Sequence, residues 1–304
     1  MQALEEEYIW IDNEIKRYSD YKVGLLNHSL QYGSGIFEGI RSYATEDGVA
    51  VFRLGEHIER LINSARIYHI NISYTKEQIE AAVKDLIRLN KLNDSYIRPF
   101  IFYNSESIGL NPYGKKVSLA IVAIEMGSYF KNKDSGIRCI VSSWRRIDNS
   151  ILPPMAKASG NYINSILASL EAHYRGADEA VMLNSRGYVS EGPGENIFLV
   201  KGDKLITPSL DSNILEGITR DTIIKIAKDL DIEVIERVVN REELYTADEL
   251  FFCGTAAEIT PIISVDDIEI KNKDMPITKK ISKYYSDIVR GKVEKYKSML
   301  TYVG

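Results

Sequence analysis

The pattern of hydrophobic and polar positions predicts both helices and strands in the first half of the chain. Residues 56–68 carry apolar side chains at the three- and four-residue spacing of a helix with one buried face. Residues 75–92 repeat this spacing and begin with the Thr-x-x-Gln order of a capping box. Two runs rich in β-branched and aromatic residues, 96–103 and 116–125, predict strands.

The second half of the chain follows a polar segment, 128–136, that ends in glycine and predicts a linker. A strand is expected at 137–144, and residues 217–230 have the periodicity of a helix. A buried strand with a Gly-Thr turn is expected within 249–262. The helix expected after Lys157 is predicted to bury one apolar face, made of Ile163, Ile166, Leu167 and Leu170.

These elements predict an α+β fold in two domains. The boundaries that we expect are a small N-terminal domain at 1–127, an interdomain loop at 128–136 and a large C-terminal domain at 137–304. The length of 304 residues is compatible with this division.

Composition and charge narrow the class of protein. With 44% hydrophobic and 27% charged residues the chain has an ordinary globular composition, and its net charge of -5 argues against general nucleic-acid binding. It has neither an apolar run of membrane-spanning length nor the basic-then-apolar layout of a signal peptide, so a cytoplasmic location is expected. Cys139 and Cys253 are expected to be reduced, buried thiols. The four scattered histidines predict no metal site.

Lys157 lies among small and apolar residues in the stretch Pro-Pro-Met-Ala-Lys-Ala-Ser-Gly-Asn-Tyr. An ordinary surface lysine is one interpretation, although a cation is unfavourable near the start of a helix. The alternative is a lysine that apolar neighbours keep neutral, because a neutral amine is the nucleophile that imine chemistry needs. Taken alone, the pattern still favours the surface lysine.

Glu191 and Glu195 flank a Gly-Pro-Gly turn between two strand-like runs. Alone, this pattern favours a hairpin turn with solvated acids. The functional alternative is a carboxylate that pairs with a cationic ring nitrogen.

Two segments could bind an anion. Gly217, Ile218 and Thr219 stand at the start of a predicted helix, where backbone N–H groups bind phosphate well, and Thr255 offers a second N–H and hydroxyl pair. Arg60 could supply the countercharge. A plain helix cap and a surface arginine are the alternatives. Because no P-loop or GxGxxG pattern occurs, a nucleotide is not the expected ligand.

An amine, an acid for a pyridinium and donors for a phosphate together meet the requirements of pyridoxal 5'-phosphate. The chain resembles the branched-chain amino acid aminotransferases, which are fold-type IV, D-amino acid aminotransferase-like enzymes with this cofactor. The resemblance runs from about residue 8 to 290 and rests on seven segments in the family's order: HSLQYGSGIFEGIR, FRLGEHIERL, YIRP, KASGNY, GYVSEGPGENIF, LEGITRD and FFCGTAAEITP.

The resemblance implies roles around the cofactor. Lys157 is similar to the Schiff-base lysine that also shuttles the proton, and Glu191 to the acid that hydrogen-bonds the pyridine nitrogen. Tyr162 resembles the tyrosine at the 3'-oxygen. The phosphate and its surroundings would be held by Arg60, Leu215, Gly217, Ile218, Thr219, Gly254 and Thr255.

The resemblance also implies a substrate site for amino acids and 2-oxo acids. Tyr96, with the backbone of Thr255 and Ala256, would bind the α-carboxylate, and Arg98 the side-chain carboxylate of glutamate. The remaining pocket residues would be Tyr32, Phe37, Gly39, Leu110, Met126 and Tyr129. Tyr32 and Leu110 would come from a neighbouring subunit of a homodimer or a larger assembly such as a hexamer.

The activity implied is transamination of L-leucine, L-isoleucine and L-valine with 2-oxoglutarate. Met126 departs from the family pattern, since many relatives have tryptophan there, and it predicts a looser pocket. A D-amino acid or (R)-amine aminotransferase, or an aminodeoxychorismate lyase, would need the same cofactor residues and is the alternative. A non-catalytic cofactor carrier is argued against by the presence of Lys157, Glu191 and Arg98.

Overall fold

The computed structural model describes residues 7–127, 129–130 and 135–304, and these residues form two compact units. The first unit contains 7–127 together with Ala156–Gly160 and Ile288–Gly304, and the second contains the described residues up to Met155 and Asn161–Asp287. The expected boundaries at 1–127, 128–136 and 137–304 stay a prediction, and part of the expected loop lies outside the described residues.

The first unit is built on an antiparallel sheet with two long helices. In chain order its elements are β1 (Tyr8–Ile11), β2 (Glu14–Arg17), α1 (His28–Tyr32), β3 (Gly35–Phe37), β4 (Ile40–Thr45), β5 (Gly48–Phe52), α2 (Leu54–Ile67), α3 (Lys76–Leu89), β6 (Ser95–Tyr103) and β7 (Val117–Glu125), and Leu300–Tyr302 returns as the last strand of the chain.

The order of this sheet begins with strand Leu300–Tyr302 and continues β5-β4-β6-β7-β1-β2, while β3 pairs with β6. Strand β7 forms because alternate side chains are buried on the two faces of the sheet. Leu119 and Ile121 join the core beneath α2 and α3, and Ala120 between them packs on the opposite face. The helices predicted for this half are confirmed, including the capping box at Thr75 and Gln78.

The second unit is a mixed sheet with helices. Its elements are β8 (Ile137–Arg145), α4 (Tyr162–Tyr174), β9 (Glu179–Leu183), β10 (Asn196–Lys201), β11 (Lys204–Pro208), α5 (Ile218–Asp229), β12 (Val234–Arg237), α6 (Glu243–Thr246), β13 (Glu249–Gly254), β14 (Glu258–Val265), β15 (Ile268–Glu269) and α7 (Pro276–Val289), which runs across the boundary between the units. The last strand, Leu300–Tyr302, is β16. The sheet order is β12-β11-β10-β13-β14-β8-β9, and β15 pairs with β14.

Helix α4 corrects the prediction of its buried face. Its buried residues are Ser165, Ala168 and Ala172, and the two alanines form a small core with residues of β8 and β9. Small side chains let the helix lie close to these strands, which the larger side chains on the other face would prevent. The face expected to be buried is turned outward, with Ile163, Ile166 and Leu170 exposed and Leu167 half-buried.

Glu179 is a buried acid in β9 beneath α4. Burial raises the pKa of its carboxyl from the ordinary 4.5 to about 7, although hydrogen bonds from the Ala180 N–H and from Ser169 act in the opposite direction. The folded state therefore keeps this proton after the unfolded chain has lost it. Stability from this group is complete below about pH 4.5 and is lost as the pH rises through 7.

Substitution of Glu179 by glutamine should therefore stabilise the protein at pH 8, by up to about 3 kcal/mol in the free energy of unfolding, and change little at pH 5. Glutamine keeps the oxygen that accepts the Ala180 N–H and carries no charge to desolvate. Urea unfolding of both proteins at the two pH values measures the effect. The control is Glu233→Gln, an exposed acid paired with Lys204, which should show no such dependence. Equal stability differences at pH 5 and pH 8 would contradict the prediction.

Candidate active site

Lys157 is held through its backbone in the first unit. Its N–H donates to the Ser64 hydroxyl at 3.1 Å, and its carbonyl accepts from the Phe37 N–H at 3.0 Å. Ala156 and Ala158 on either side are buried, and the Lys157 side chain is half-buried. The amine nitrogen lies 5.2 Å from the centre of the Phe37 ring. The main chain thus fixes the base of the side chain, and the amine extends over an aromatic face.

Arg98, a predicted substrate residue of the same unit, lies over this ring and contacts Tyr96. The Arg98 guanidinium carbon lies 4.6 Å from the Phe37 ring centre, and its Nη2 donates to the Tyr96 hydroxyl at 3.1 Å. A Cβ atom at Gly39 would lie 2.0 Å from that hydroxyl oxygen, so only glycine leaves Tyr96 in this position. The Phe37 ring is therefore in contact with two cationic side chains, Lys157 and Arg98, and Arg98 in turn binds the Tyr96 hydroxyl.

Arg60 projects from α2 and pairs with a buried acid, Glu38. The guanidinium donates from Nε at 2.6 Å and from Nη2 at 2.9 Å to the two oxygens of Glu38. His57, one turn earlier in α2, bonds through Nδ1 to the same carboxylate at 2.8 Å. The predicted phosphate arginine is therefore a positioned group and not the surface arginine of the alternative interpretation.

Other predicted pocket residues of the first unit lie nearer its surface. Tyr32 accepts a hydrogen bond from the Gly109 N–H at 3.3 Å, and the neighbouring Leu110 is 78% exposed. Met126 is half-buried, and its carbonyl accepts from Arg41 at 3.1 Å.

In the second unit the Glu191 carboxylate is buried and well satisfied. One oxygen accepts from Arg146 Nε at 2.8 Å. The other accepts from Asn196 Nδ2 at 3.0 Å and from the Leu215 N–H at 3.1 Å. Glu195 across the turn is also buried, so the interpretation of two solvated acids is wrong.

The first predicted anion-binding segment, at the start of α5, follows Leu215, whose N–H bonds to Glu191. Helix α5 begins at Ile218 with Gly217 as its N-cap, which has no side chain to occupy the first N–H groups. A Cβ atom at Gly217 would lie 1.9 Å from the Asn196 amide oxygen. Thr219 is buried in the first turn of the helix. This helix start is therefore packed directly against the residue that orients Glu191.

The second anion-binding segment is the turn between β13 and β14. Gly254 ends β13, and Thr255 and Ala256 are half-buried in the turn. A Cβ atom at Gly254 would lie 3.4 Å from the Gly194 carbonyl oxygen. Since Asn196 pairs with Cys253 in the sheet, this turn lies beside the Glu191 turn. The other two predicted residues of this unit are Tyr162, half-buried at the start of α4, and Tyr129, exposed and packed edge-on against Phe130.

Sequence reasoning missed five side chains of these clusters. They share a position beside a predicted site residue: Glu38, His57, Ser64, Arg146 and Asn196. For two of them a signal existed, because His57 and Ser64 lie at helical spacing on either side of Arg60. Glu38 and Arg146 pair with residues 22 and 45 positions away, which no local pattern indicates, and Asn196 lies five residues from Glu191 without a pattern that links them.

The described residues contain no cluster of histidine, cysteine or acidic side chains suited to a metal ion. Within the same residues, no helix is both long and apolar enough to cross a membrane. Cys139 and Cys253 are buried, free thiols.

Comparison with known proteins agrees with this geometry. A family model described as amino-transferase class IV matches residues 35–265. The branched-chain-amino-acid aminotransferase of Escherichia coli (strain K12) is 44% identical over 298 residues, covering 97% of this chain and 96% of the relative.

Two solved structures are also similar. The branched-chain aminotransferase of Thermoproteus uzoniensis with norvaline has 48% identity and a TM-score of 0.94, covering 98% of this chain and 99% of that one. The branched-chain amino acid aminotransferase of Thermobaculum terrenum, in its PLP-form, has 38% identity and a TM-score of 0.94, covering 99% and 100%. Fold and full-length similarity agree, and the chain belongs to the branched-chain amino acid aminotransferases of aminotransferase class IV.

Proposed function

We propose that this protein is a pyridoxal 5'-phosphate enzyme that transfers the amino group of L-leucine, L-isoleucine or L-valine to 2-oxoglutarate, giving branched-chain 2-oxo acids and L-glutamate. One observation carries the proposal: the Lys157 amine and the Arg98 guanidinium lie over the same Phe37 ring. A pocket for both donors needs an apolar wall for leucine and a cation for the side-chain carboxylate of glutamate, within reach of one amine.

The side chains fit this cofactor. Glu191 is a buried acceptor that Arg146, Asn196 and the Leu215 N–H hold in one orientation, as a pyridinium N–H requires. The start of α5 offers backbone N–H groups without a side-chain cap, as a phosphate requires. When bound, the cofactor supplies an electron sink for negative charge at the substrate α-carbon.

Each residue has a role in the proposed reaction. Lys157 removes the proton from the α-carbon and returns it one step later. Its backbone is fixed by the Ser64 hydroxyl, and its amine extends over Phe37. Tyr96, Thr255 and Ala256 bind the α-carboxylate. Arg98 binds the side-chain carboxylate of glutamate and leaves Phe37 as the apolar surface for leucine.

The first test is a half-reaction of the cofactor-loaded enzyme with L-leucine and, separately, with D-alanine, followed through the visible absorbance. The band should fall with L-leucine and return with 2-oxoglutarate. Loss of the band with D-alanine alone would favour the D-amino acid aminotransferase alternative, and no band in any preparation would overturn the proposal. The (R)-amine and aminodeoxychorismate alternatives have no support in the names of the similar proteins given above.

The proposal includes a cytoplasmic homodimer or larger assembly, a hexamer included, in which Tyr32 and Leu110 complete the site of a neighbouring subunit. In the segments that contain or precede these two residues, the apolar side chains of Leu25, Ile108 and Leu110 are 85%, 80% and 78% exposed. Exposed apolar groups of this kind mark contact surfaces. Free, buried thiols support a reducing location.

Mixing two inactive variants tests the shared site. Leu110→Asp and Lys157→Ala should each be impaired alone. After dissociation and reassembly, a mixed dimer has one site with both an intact Lys157 and the partner's intact Leu110, so the mixture should regain up to about a quarter of wild-type turnover. A mixture of wild type with Lys157→Ala controls for activity lost in dissociation and reassembly, and native mass spectrometry of the mixed dimers measures the exchange itself. No regain, with exchange demonstrated, would place Leu110 in the site of its own subunit or outside any site.

Met126 predicts a wider donor range. Its N–H donates to the Asp94 carbonyl at 3.1 Å and its carbonyl accepts from Arg41, so the backbone of this residue is fixed. The difference from relatives with tryptophan here therefore lies in the side chain, which is flexible in methionine. Met126→Trp should lower the ratio of kcat/KM for phenylalanine to that for leucine by about tenfold, a pocket effect of ordinary size. Met126→Leu is the matched control and should leave the ratio near its wild-type value. A wild-type enzyme without activity on aromatic donors would contradict the prediction.

A further inference from the structure

Glu38 lies at the centre of a buried hydrogen-bond chain that the proton transfers proposed above do not use. Its side chain is completely buried, and its two oxygens accept three hydrogen bonds from Arg60 and His57. Because an ionised carboxylate can only accept, His57 carries a proton on Nδ1. The order of the chain is therefore His57, Glu38 and Arg60, with every hydrogen bond directed toward the carboxylate.

The environment favours an ionised Glu38 and a neutral His57 in this hydrogen-bond chain. Burial by itself would raise the pKa of Glu38, but the charge of Arg60 and the hydrogen bonds from His57 and Arg60 outweigh it and hold the pKa well below the usual range. Burial lowers the pKa of His57, and the charges of Arg60 and Lys157 act in the same direction against the effect of Glu38. At neutral pH the chain thus contains one anion, one cation and a neutral imidazole.

The hydrogen bonds also fix the direction of Arg60. Glu38 binds the guanidinium side-on, along the edge formed by Nε and Nη2. Since the guanidinium is planar and rigid, fixing this edge also fixes where the end bearing Nη1 points. His57, in turn, holds the carboxylate from the other side. An arginine without such a partner would keep several rotamers, and ordering them would weaken any ligand that it binds.

One face of α2 carries both this chain and the support for Lys157. His57, Arg60 and Ser64 follow one another at three- and four-residue spacing, and the Ser64 hydroxyl accepts from the Lys157 N–H. Glu38 itself stands between Phe37, which contacts the Lys157 amine, and Gly39, which makes room for Tyr96. A change at Glu38 can therefore act on the arginine, on the lysine or on the fold, and a test must separate these effects.

We infer that Glu38 and His57 are positioning residues that fix the Nη1 end of Arg60 for binding the phosphate, so that they set the affinity for the phosphate of the cofactor and not the proton transfer at Lys157. This inference rests on the proposed function, since it takes Arg60 as a phosphate ligand. It assigns a function to a buried acid and a buried histidine that sequence reasoning missed.

The test compares pyridoxal 5'-phosphate with pyridoxal, which lacks the phosphate. Apoenzyme is titrated with each compound, and the attachment to Lys157 is followed by visible absorbance and, after borohydride trapping, by mass spectrometry. Glu38→Gln should raise the Kd for pyridoxal 5'-phosphate at least tenfold and change that for pyridoxal less than about threefold, because only the first compound uses Arg60. At saturating cofactor, kcat should stay within about threefold of wild type.

His57 gives a second, milder pair of variants in case Glu38→Gln does not fold. Asparagine can donate from a position close to that of Nδ1, whereas phenylalanine keeps the ring and donates nothing. His57→Phe should weaken the binding of pyridoxal 5'-phosphate severalfold, and His57→Asn should restore most of the affinity. Equal weakening by both variants would overturn the role of His57 as a donor.

A buried acid elsewhere provides the structural control. Glu249 caps the start of α7 by accepting from the Ile277 and Thr278 N–H groups, and it lies in the other unit. Glu249→Gln should lower the melting temperature without changing either Kd. If Glu38→Gln weakened pyridoxal and pyridoxal 5'-phosphate equally, or neither, the inference would be wrong. If wild-type protein bound neither compound at Lys157, the proposed function itself would fail, so the two failures can be told apart.

Discussion

Replacing Lys157 by alanine should lower turnover with L-leucine by about 10⁴-fold or more, because the substitution removes both the proposed attachment point of the cofactor and the group proposed to move the α-proton. The fold should survive the change. The contacts that hold this segment, to the Ser64 hydroxyl and to the Phe37 N–H, come from the backbone of residue 157, which alanine retains. The expected change in the free energy of unfolding is within about 1 kcal/mol.

Steady-state kinetics, visible absorbance and a thermal melt together measure this result. The matched control is Lys157→Arg, which keeps a long cationic side chain over Phe37 but has no nucleophilic amine, and it should be as inactive as the alanine variant. A small primary amine in the buffer should restore part of the lost turnover in Lys157→Ala, since it can carry the proton in place of the missing side chain. Turnover within tenfold of wild type in Lys157→Ala would remove the lysine from the reaction.

The sequence was sufficient for those parts of the fold and site that local patterns encode. Helices α2 and α3 were predictable because their apolar residues recur with the helical period and face one core. Lys157 and Glu191 were singled out because each stands in a stretch of small residues and glycines, and the family resemblance then assigned them roles. Their roles remain predictions, while their burial and partners are now described.

Two kinds of feature could not be predicted, for different reasons. The face of α4 was assigned wrongly because Glu171 is its one acidic residue and apolar side chains occur on both of its sides. Periodicity does not tell whether alanines or isoleucines approach a sheet more closely. Buried ion pairs were missed because their partners are distant along the chain: Glu38 and Arg60 are 22 residues apart, and Arg146 and Glu191 are 45 apart. No local signal distinguishes such residues from surface charges.

The ion pair of Glu191 with Arg146 leads to the second large effect. Glu191→Gln should reduce kcat by about 10²–10³-fold, since the carboxylate proposed to keep a proton on the cofactor ring is replaced by a neutral amide. The same variant should lose about 3–5 kcal/mol of stability, because Arg146 remains buried without its anion. Both oxygens of Glu191 accept hydrogen bonds, whereas glutamine has an NH₂ donor in place of one oxygen. That donor would face another donor, which is Arg146 on one side and Asn196 with the Leu215 N–H on the other. Glu195→Gln, a buried acid at the other end of the same turn, is the control and should keep most of the activity.

A double variant separates the two effects of Glu191. Arg146→Met combined with Glu191→Gln removes both buried charges, and such replacement of a whole pair is often neutral for stability. The double variant should therefore melt closer to wild type than Glu191→Gln alone, while its kcat stays as low, because no carboxylate faces the cofactor ring. Denaturant unfolding and kinetics on the three proteins measure this. Recovery of activity together with stability would mean that Glu191 acts only by supporting the fold, and the role proposed for its charge would have to be abandoned.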